Sequence, residues 1–385
     1  MSNFQNDLDK FGYYTSQGRK TYSKFEAMEY SSRYRWHFND EVFASYNWLT
    51  EPASDVNYFY DQRATQIRDK YDYIVLFYSG GFDSHNILKT FVDNGLHLDE
   101  VLSNIPSLDI ASTQTLEYKV FTSKKIEKYK QLLPNTVFRL VEYRDMLLGE
   151  LINQRDILYN LNHRYTANHL VKNIYKRMIP AHRSLVEAGK KICYLFGVDK
   201  PMIVNHDGEY FSRFSELAVC NYVLPKLQFD RNDEIKYEFF YWSPDCVPLL
   251  IKQAHLAKKY YKDRLGSANK HYRDRLSNLD YEAYDFDQQR YNYHIYPRCR
   301  DDSTLGYFYE PAYHNMYQQI NAKRAVGEIH GVGGRDSWIH DLNHEVVAKT
   351  YGPILFIQER FKKEFVLGDP MKHLKINHTY YSLGR

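Results

Sequence analysis

Cysteine is scarce in this chain. Four occur among 385 residues, Cys193, Cys220, Cys246 and Cys299, and any two are at least 26 positions apart. Without a CxxC pair, neither a zinc ribbon nor a dithiol redox centre is written here, and a reducing compartment is the simpler expectation. Long hydrophobic runs are also missing, which argues against a membrane span. The opening Met1-Ser2-Asn3-Phe4-Gln5-Asn6-Asp7 has neither the basic start nor the apolar core of a signal peptide. A soluble, cytoplasmic protein is expected. Charge of one sign is lacking too. Fifty-one basic residues face 48 acidic ones, and a net charge of +3 does not by itself argue for a nucleic-acid partner. What remains is an ordinary globular composition, 43% hydrophobic and 26% charged. Tyrosine stands out at 37 residues. An AT-rich genome accounts for that excess more simply than a functional aromatic surface does.

Three regions are expected. Residues 1–70 read as a helical extension. Ser23 and Glu26 have capping-box spacing, and Val56, Phe59, Tyr60, Ala64 and Ile67 repeat as one helical stripe. Residues 71–216 alternate strands with helices. Tyr73–Tyr78 is a continuous apolar run, as in a strand buried on both faces. A helix then starts at Ser84 and stops at Gly95. Strands follow at Leu98–Ile105, Val137–Val141 and Ile192–Phe196, with a long helix through Leu116, Phe121, Ile126 and Leu133 that Pro134 ends. Such alternation predicts an α/β fold, a parallel sheet with helices on both faces. Residues 217–385 read as mostly helical and shape a substrate region.

The segment Ser79-Gly80-Gly81-Phe82-Asp83-Ser84 lies between the first strand and the helix after it. Two glycines permit a sharp turn and close approach of backbone N–H groups to an oxyanion. A helix start adds N–H groups and the positive end of its dipole, so pyrophosphate is favoured there. The hydroxyls of Ser79 and Ser84 suit phosphate oxygens. Asp83 suits a bridging cation, which with polyphosphate is Mg²⁺. A plain turn that merely needed glycine is the competing explanation. The segment lacks the lysine and spacing of a Walker loop, the GxGxxG of a dinucleotide fold and the central serine of a hydrolase elbow.

These six residues match SGGxDS, and the chain thereby resembles the PP-loop ATP pyrophosphatases, a superfamily that includes the synthetase domain of asparagine synthetase. The resemblance implies a HUP-like domain over roughly Tyr71 to Glu216. It implies ATP and Mg²⁺, and attack by a substrate oxygen on the α-phosphorus with pyrophosphate leaving. The adenylated acceptor then takes a nitrogen nucleophile, ammonia or an amine. The acceptor is a small molecule or, in the modifying branches, a nucleobase in RNA or DNA. Adenine is expected against Leu102-Ser103-Asn104. Gly197-Val198-Asp199-Lys200-Pro201, at the end of another strand, resembles a family loop only in Gly197 and Asp199. Asp199 is expected on metal or substrate and Lys200 on phosphate or adenylate, against a solvated turn as the alternative. Asp83, Ser84, Asp199 and Lys200 are the expected catalytic residues, with Asp83 and Asp199 on the metal. No cysteine precedes Cys193, so no glutaminase is expected, and the cysteine-rich branches are disfavoured.

Other signals are weaker. Tyr241–Cys246 forms a proline turn that either lines a pocket or caps a helix through Asp245 with Trp242 packed. His330–Asp336 reads as a flexible loop and a weak phosphate-binding candidate, and His340 and His344, four apart, suit a shared metal or are paired by chance. Residues 250–275 carry eight lysines and arginines against two aspartates, with Tyr260, Tyr261 and Tyr272 interleaved. That stretch is a solvated face or a polynucleotide contact.

Overall fold

The computed structural model describes residues 9–22, 24–109, 113–143, 145, 179–197, 200–216, 235–265, 291–300, 302 and 377–385. Five strands form one parallel sheet: β4 (Tyr73–Phe77), β5 (Glu100–Ile105), β6 (Val137–Glu142), β7 (Ile192–Phe196) and β10 (Ile235–Phe239). Their order is β10-β7-β4-β5-β6, with every pairing parallel. Numbered by first appearance within the sheet, this reads 3-2-1-4-5 from the β6 edge. The chain therefore winds outward from β4 in one direction and then returns to wind in the other.

Ile74, Val75 and Leu76 of β4 are fully buried, as are Ile192, Cys193, Tyr194 and Leu195 of β7. Apolar residues on both faces are what a central parallel strand requires. Helices flank the sheet, so the expected α/β class holds. α3 (Val56–Lys70) buries the predicted stripe of Val56, Phe59, Tyr60, Ala64 and Ile67. α4 (Phe82–Asp93) stops before Gly95, which has φ +63°. α5 (Thr113–Glu117) runs through a π-helical turn, Tyr118–Thr122, into α6 (Ser123–Leu132). α7 (Pro180–Glu187) precedes β7, and α8 (Val247–Leu265) follows β10.

The N-terminal segment is helical only in part. β1 (Tyr13–Ser16), β2 (Arg19–Thr21) and β3 (Tyr34–His37) form an antiparallel sheet ordered β2-β1-β3 around α1 (Lys24–Tyr30), with α2 (Asp40–Ala44) beyond it. Gln17 and Gly18, at φ 49° and 73°, make the two-residue turn that a hairpin needs. A second hairpin joins β8 (Met202–His206) to β9 (Glu209–Ser215) through Asp207 and Gly208, at φ 51° and 85°. β11 (His378–Gly384) pairs with β9. Beyond Glu216 the described residues thus hold strands as well as helices. The parallel sheet also takes its β10 edge from beyond the expected boundary.

Tyrosine serves the interior. Tyr14, Tyr60, Tyr78, Tyr143, Tyr194, Tyr241 and Tyr296 are almost wholly buried. Phe38, Phe43, Trp48, Phe214 and Trp242 pack ring on ring, joining the N-terminal sheet to β9, and Tyr381 of β11 stacks on Trp48 at 4.6 Å. Among the described residues no helix is long and apolar enough to cross a membrane.

Candidate functional site

β4 lies in the middle of the sheet, and strand order reverses between it and β7. A crevice outside the carboxyl ends of the strands at such a point is where open α/β sheets take ligands. Ser79–Ser84 leaves β4 there, and Gly197 leaves β7 beside it. Gly80 has φ +80°, in the left-handed region. A Cβ on it would run into the Thr122 side chain. Gly81 begins α4 with no side-chain cap, and His85 N–H donates to its carbonyl at 2.9 Å. The helix therefore starts at Phe82 rather than Ser84. Asp83 and Ser84 stand inside its first turn, where no side chain caps the N–H groups.

That early start changes the part played by Ser84. Its buried Oγ lies 3.2 Å from Ser79 N, Ser79 Oγ and the Gly81 carbonyl oxygen. It ties the loop to the helix from below. Ser79 is exposed, and its Oγ accepts from Gly81 N–H at 3.3 Å. Phe82 is buried against the Tyr293 ring, so its contribution is packing and its backbone.

Asp83 is where the site gathers. Lys200 Nζ lies 3.0 and 3.3 Å from its two carboxylate oxygens. Tyr296 donates to Oδ1 at 2.5 Å, and Tyr241 donates to the Asp83 carbonyl oxygen at 2.8 Å. Burial, reinforced by Asp83, raises the Tyr296 hydroxyl well above its ordinary pKa, so it stays a donor. Asn86 holds the Tyr241 oxygen at 3.1 Å. Gly197 fits tightly: a Cβ there would sit 3.1 Å from the Asp83 carbonyl carbon and 3.2 Å from Ser84 N and Ile87 Cδ1. Only glycine lets β7 end so close to the start of α4. The structure thus brings Ser79, Gly80, Gly81, Asp83, Ser84, Gly197 and Lys200 together. Asp199 lies outside the described residues.

Leu102, Ser103 and Asn104 are not at a strand end. All three pair with β6 inside β5, which continues to Ile105. The Leu102 carbonyl accepts from Tyr78 N–H, and the buried Ser103 hydroxyl donates to the Tyr78 carbonyl, each at 2.8 Å. The strand end lies further on, at Ile105.

Behind the loop is a buried polar group that sequence gave no sign of. His85 joins Tyr78 through Nδ1 at 2.8 Å and Asp302 through Nε2 at 2.9 Å. Tyr129 and Lys128 also reach Asp302, at 2.9 and 3.1 Å. Burial drives the His85 pKa down to about 4 despite Asp302, so the imidazole is neutral. Thr122 donates to the Ser79 carbonyl at 2.9 Å, and Lys125 donates to that of Gly80. Tyr296, Thr122 and Lys125 belong to no motif, whereas Tyr241 opens the Tyr241–Cys246 turn, one of whose two expected roles was to line a pocket. In sequence Tyr296 is one tyrosine among 37.

Other expected features fall away from this cluster. Asp245 does not cap: the Ser243 hydroxyl accepts from Asp245 N–H at 3.2 Å, while Trp242 is fully buried. Lys252 pairs with Glu51 at 2.6 Å, and Lys258 donates to the Leu383 and Arg385 carbonyls. These two basic residues hold the fold. Residues 266–275, His330–Asp336, His340 and His344 lie outside the described residues. No group of three or more potential metal ligands occurs among the described residues.

The donor set suits polyphosphate with one shared cation. A cradle that a Cβ would fill and an uncapped helix start suit an anion. A lone carboxylate suits a Mg²⁺ ion that takes its other ligands from phosphate and water. Comparison with protein-family models and with curated proteins finds no match to this chain.

Proposed function

We propose that the chain is a PP-loop ATP pyrophosphatase, which cleaves ATP between the α and β phosphates, adenylates an acceptor and joins it to ammonia or an amine. The observation that carries this reading is the position of Ser79–Ser84. The loop leaves the central strand at the reversal of a 3-2-1-4-5 parallel sheet, with Gly80 at φ +80° and Asp83 facing a lysine from the neighbouring strand's end.

In this reading the glycine turn and the first turn of α4 bind the β and γ phosphates. Asp83 would hold Mg²⁺, which supplies charge neutralisation to the departing pyrophosphate. Lys200 sits on Asp83. With phosphate present it turns to the α-phosphate or the acyl-adenylate, where its charge offsets that of the reacting group. Tyr296 keeps a proton at its hydroxyl and fixes the Asp83 carboxylate during that exchange. Catalysis rests on positioning and preorganised charge rather than on a covalent enzyme intermediate.

Incubating the protein with Mg²⁺, α-labelled ATP and a cell extract that supplies acceptors, then separating AMP from ADP, tests this. AMP and pyrophosphate are expected, and Asp83→Asn and Lys200→Met each lower their formation by about two orders of magnitude. ADP as product, or AMP formed equally by Asp83→Asn, sinks the reading.

A further inference from the structure

Thr122 and Lys125 stand one helical turn apart, Thr122 closing the π-helical turn and Lys125 in α6, and both side chains are buried. Each donates to a carbonyl of the loop, Thr122 to Ser79 and Lys125 to Gly80. In a trans peptide the C=O and the N–H of the next residue point in opposite directions. Cis peptides are absent among the described residues. Pinning these two carbonyls against the helix therefore turns the N–H groups of Gly80 and Gly81 away from it, toward the mouth of the loop, where that of Gly81 meets the exposed Ser79 hydroxyl at 3.3 Å, a contact a ligand oxygen would replace. The left-handed φ of Gly80 is what lets successive N–H groups share one concave side. The π turn alters the register of α5 into α6, the kind of irregularity that re-aims side chains at functional sites.

We propose that Thr122 and Lys125 are positioning residues that clamp two successive loop carbonyls from behind and so build the backbone anion nest for pyrophosphate. The inference rests on the phosphate-loop reading above. Thr122 and Lys125 act through the loop and need not touch the ligand. A solvent-facing lysine would suffice to add charge. A wholly buried one aimed at a carbonyl is needed only to orient the peptide.

The groups around Lys125 agree with this role. Burial lowers its pKa to about 7, while Asp302 and Cys299 act to raise it. His85 and Lys89 of α4 and Lys128 of its own helix complete the charged surroundings. His85 is neutral there, so no imidazolium opposes the lysine. An anion on the far side of the loop favours the protonated form. The clamp is then tightest when the ligand is bound, and it weakens as pH rises above neutrality in the free protein.

Calorimetric titration of the full chain with inorganic pyrophosphate, at pH 6.5 and 8.5, tests the clamp. Thr122→Val keeps the shape and removes the hydroxyl. Lys125→Met keeps the stem and removes the ammonium. Lys119→Met, which loses only a bond to the Leu108 carbonyl on the exposed side, serves as control. Lys125→Met is expected to raise Kd roughly ten- to hundredfold and Thr122→Val roughly three- to tenfold, with Lys119→Met unchanged. The ratio of Lys125→Met to wild-type Kd shrinks at pH 8.5, because only the wild type loses a proton at that position. Titration of pyrophosphate itself is common to both proteins and cancels in the ratio. Wild-type binding with unchanged affinity in both variants overturns the clamp alone. If the wild type binds no pyrophosphate, the phosphate-loop reading falls and takes the clamp with it.

Discussion

At φ +80° Gly80 occupies backbone territory that costs an L side chain about 1–2 kcal/mol, and a Cβ there also meets the Thr122 hydroxyl. Gly81, one residue on, has φ −73° and only Ser79 Oγ nearby, at 3.4 Å. The two glycines of the motif are therefore unequal. Gly80→Ala is expected to destabilise the fold by about 1–3 kcal/mol in urea unfolding and to remove ATP binding. Gly81→Ala, at a helix N-cap, loses at most about 1 kcal/mol and still binds. Equal effects at both positions would show that the turn is only a convenient glycine pair. Sequence identifies both residues, and it cannot rank them, because the ranking comes from Thr122 some forty positions away.

Among elements, the approach of β7 to α4 decides whether the crevice exists. A Gly197→Val side chain has nowhere to go between Asp83, Ser84 and Ile87. It should cost about 1–3 kcal/mol and raise the Kd for ATP, read by thermal unfolding and calorimetry on the same sample. A variant with intact stability and affinity would mean that the strand end does not shape the site. β4 and β7 were legible in sequence because each is a run of residues that want burial on both faces, and β5 and the half-exposed edge strand β6 because short clusters of Val, Leu, Ile and Phe stand between turn and helix signals. β10 was not, because its Ile-Lys-Tyr-Glu-Phe alternates charge with apolar residues and reads as a surface strand. Glu238 within it is buried nonetheless, matched by Arg63 at 3.1 Å, Lys70 at 2.8 Å and Tyr71 at 2.5 Å. Both hairpins carried their turn signals, Gln17-Gly18 and Asp207-Gly208, but the helical stripes and the motif drew the assignment elsewhere. Ser79–Ser84 was readable as a glycine turn between a buried strand and a helix, and it stands there. Its partners Tyr296, Tyr241, Thr122 and Lys125 reach it only through tertiary packing, which no local spacing encodes.

Across the whole molecule Glu238 is the joint between the N-terminal segment, α3 and the sheet edge. Burial would raise its pKa, but Lys10, Arg63 and Lys70 outweigh that and hold it well below the ordinary 4.5. A carboxyl depressed in the folded state contributes stability above its unfolded pKa and loses it as pH falls below about 4.5. The protein should therefore weaken steeply on the acid side of that value. Glu238→Gln should flatten this limb while costing about 3 kcal/mol at neutral pH, since Arg63 and Lys70 then keep only Asp245, at 3.7 and 3.8 Å, and Lys10 loses its carboxylate. Urea midpoints measured from pH 3 to 7 check both effects, and an unchanged acid slope in the variant would remove Glu238 as their source.

The contact between Asp83 and Tyr296 spans 213 residues of sequence. At a translation rate of roughly 5–20 residues per second, the loop leaves the ribosome about 10–40 s before the tyrosine that steadies its aspartate. The central strand and its glycine turn are thus made early and finished late. A nascent chain cut short anywhere before residue 296 carries the motif without the hydroxyl that holds Asp83 in place, so the birth of the site is set by the arrival of a tyrosine that no motif marks.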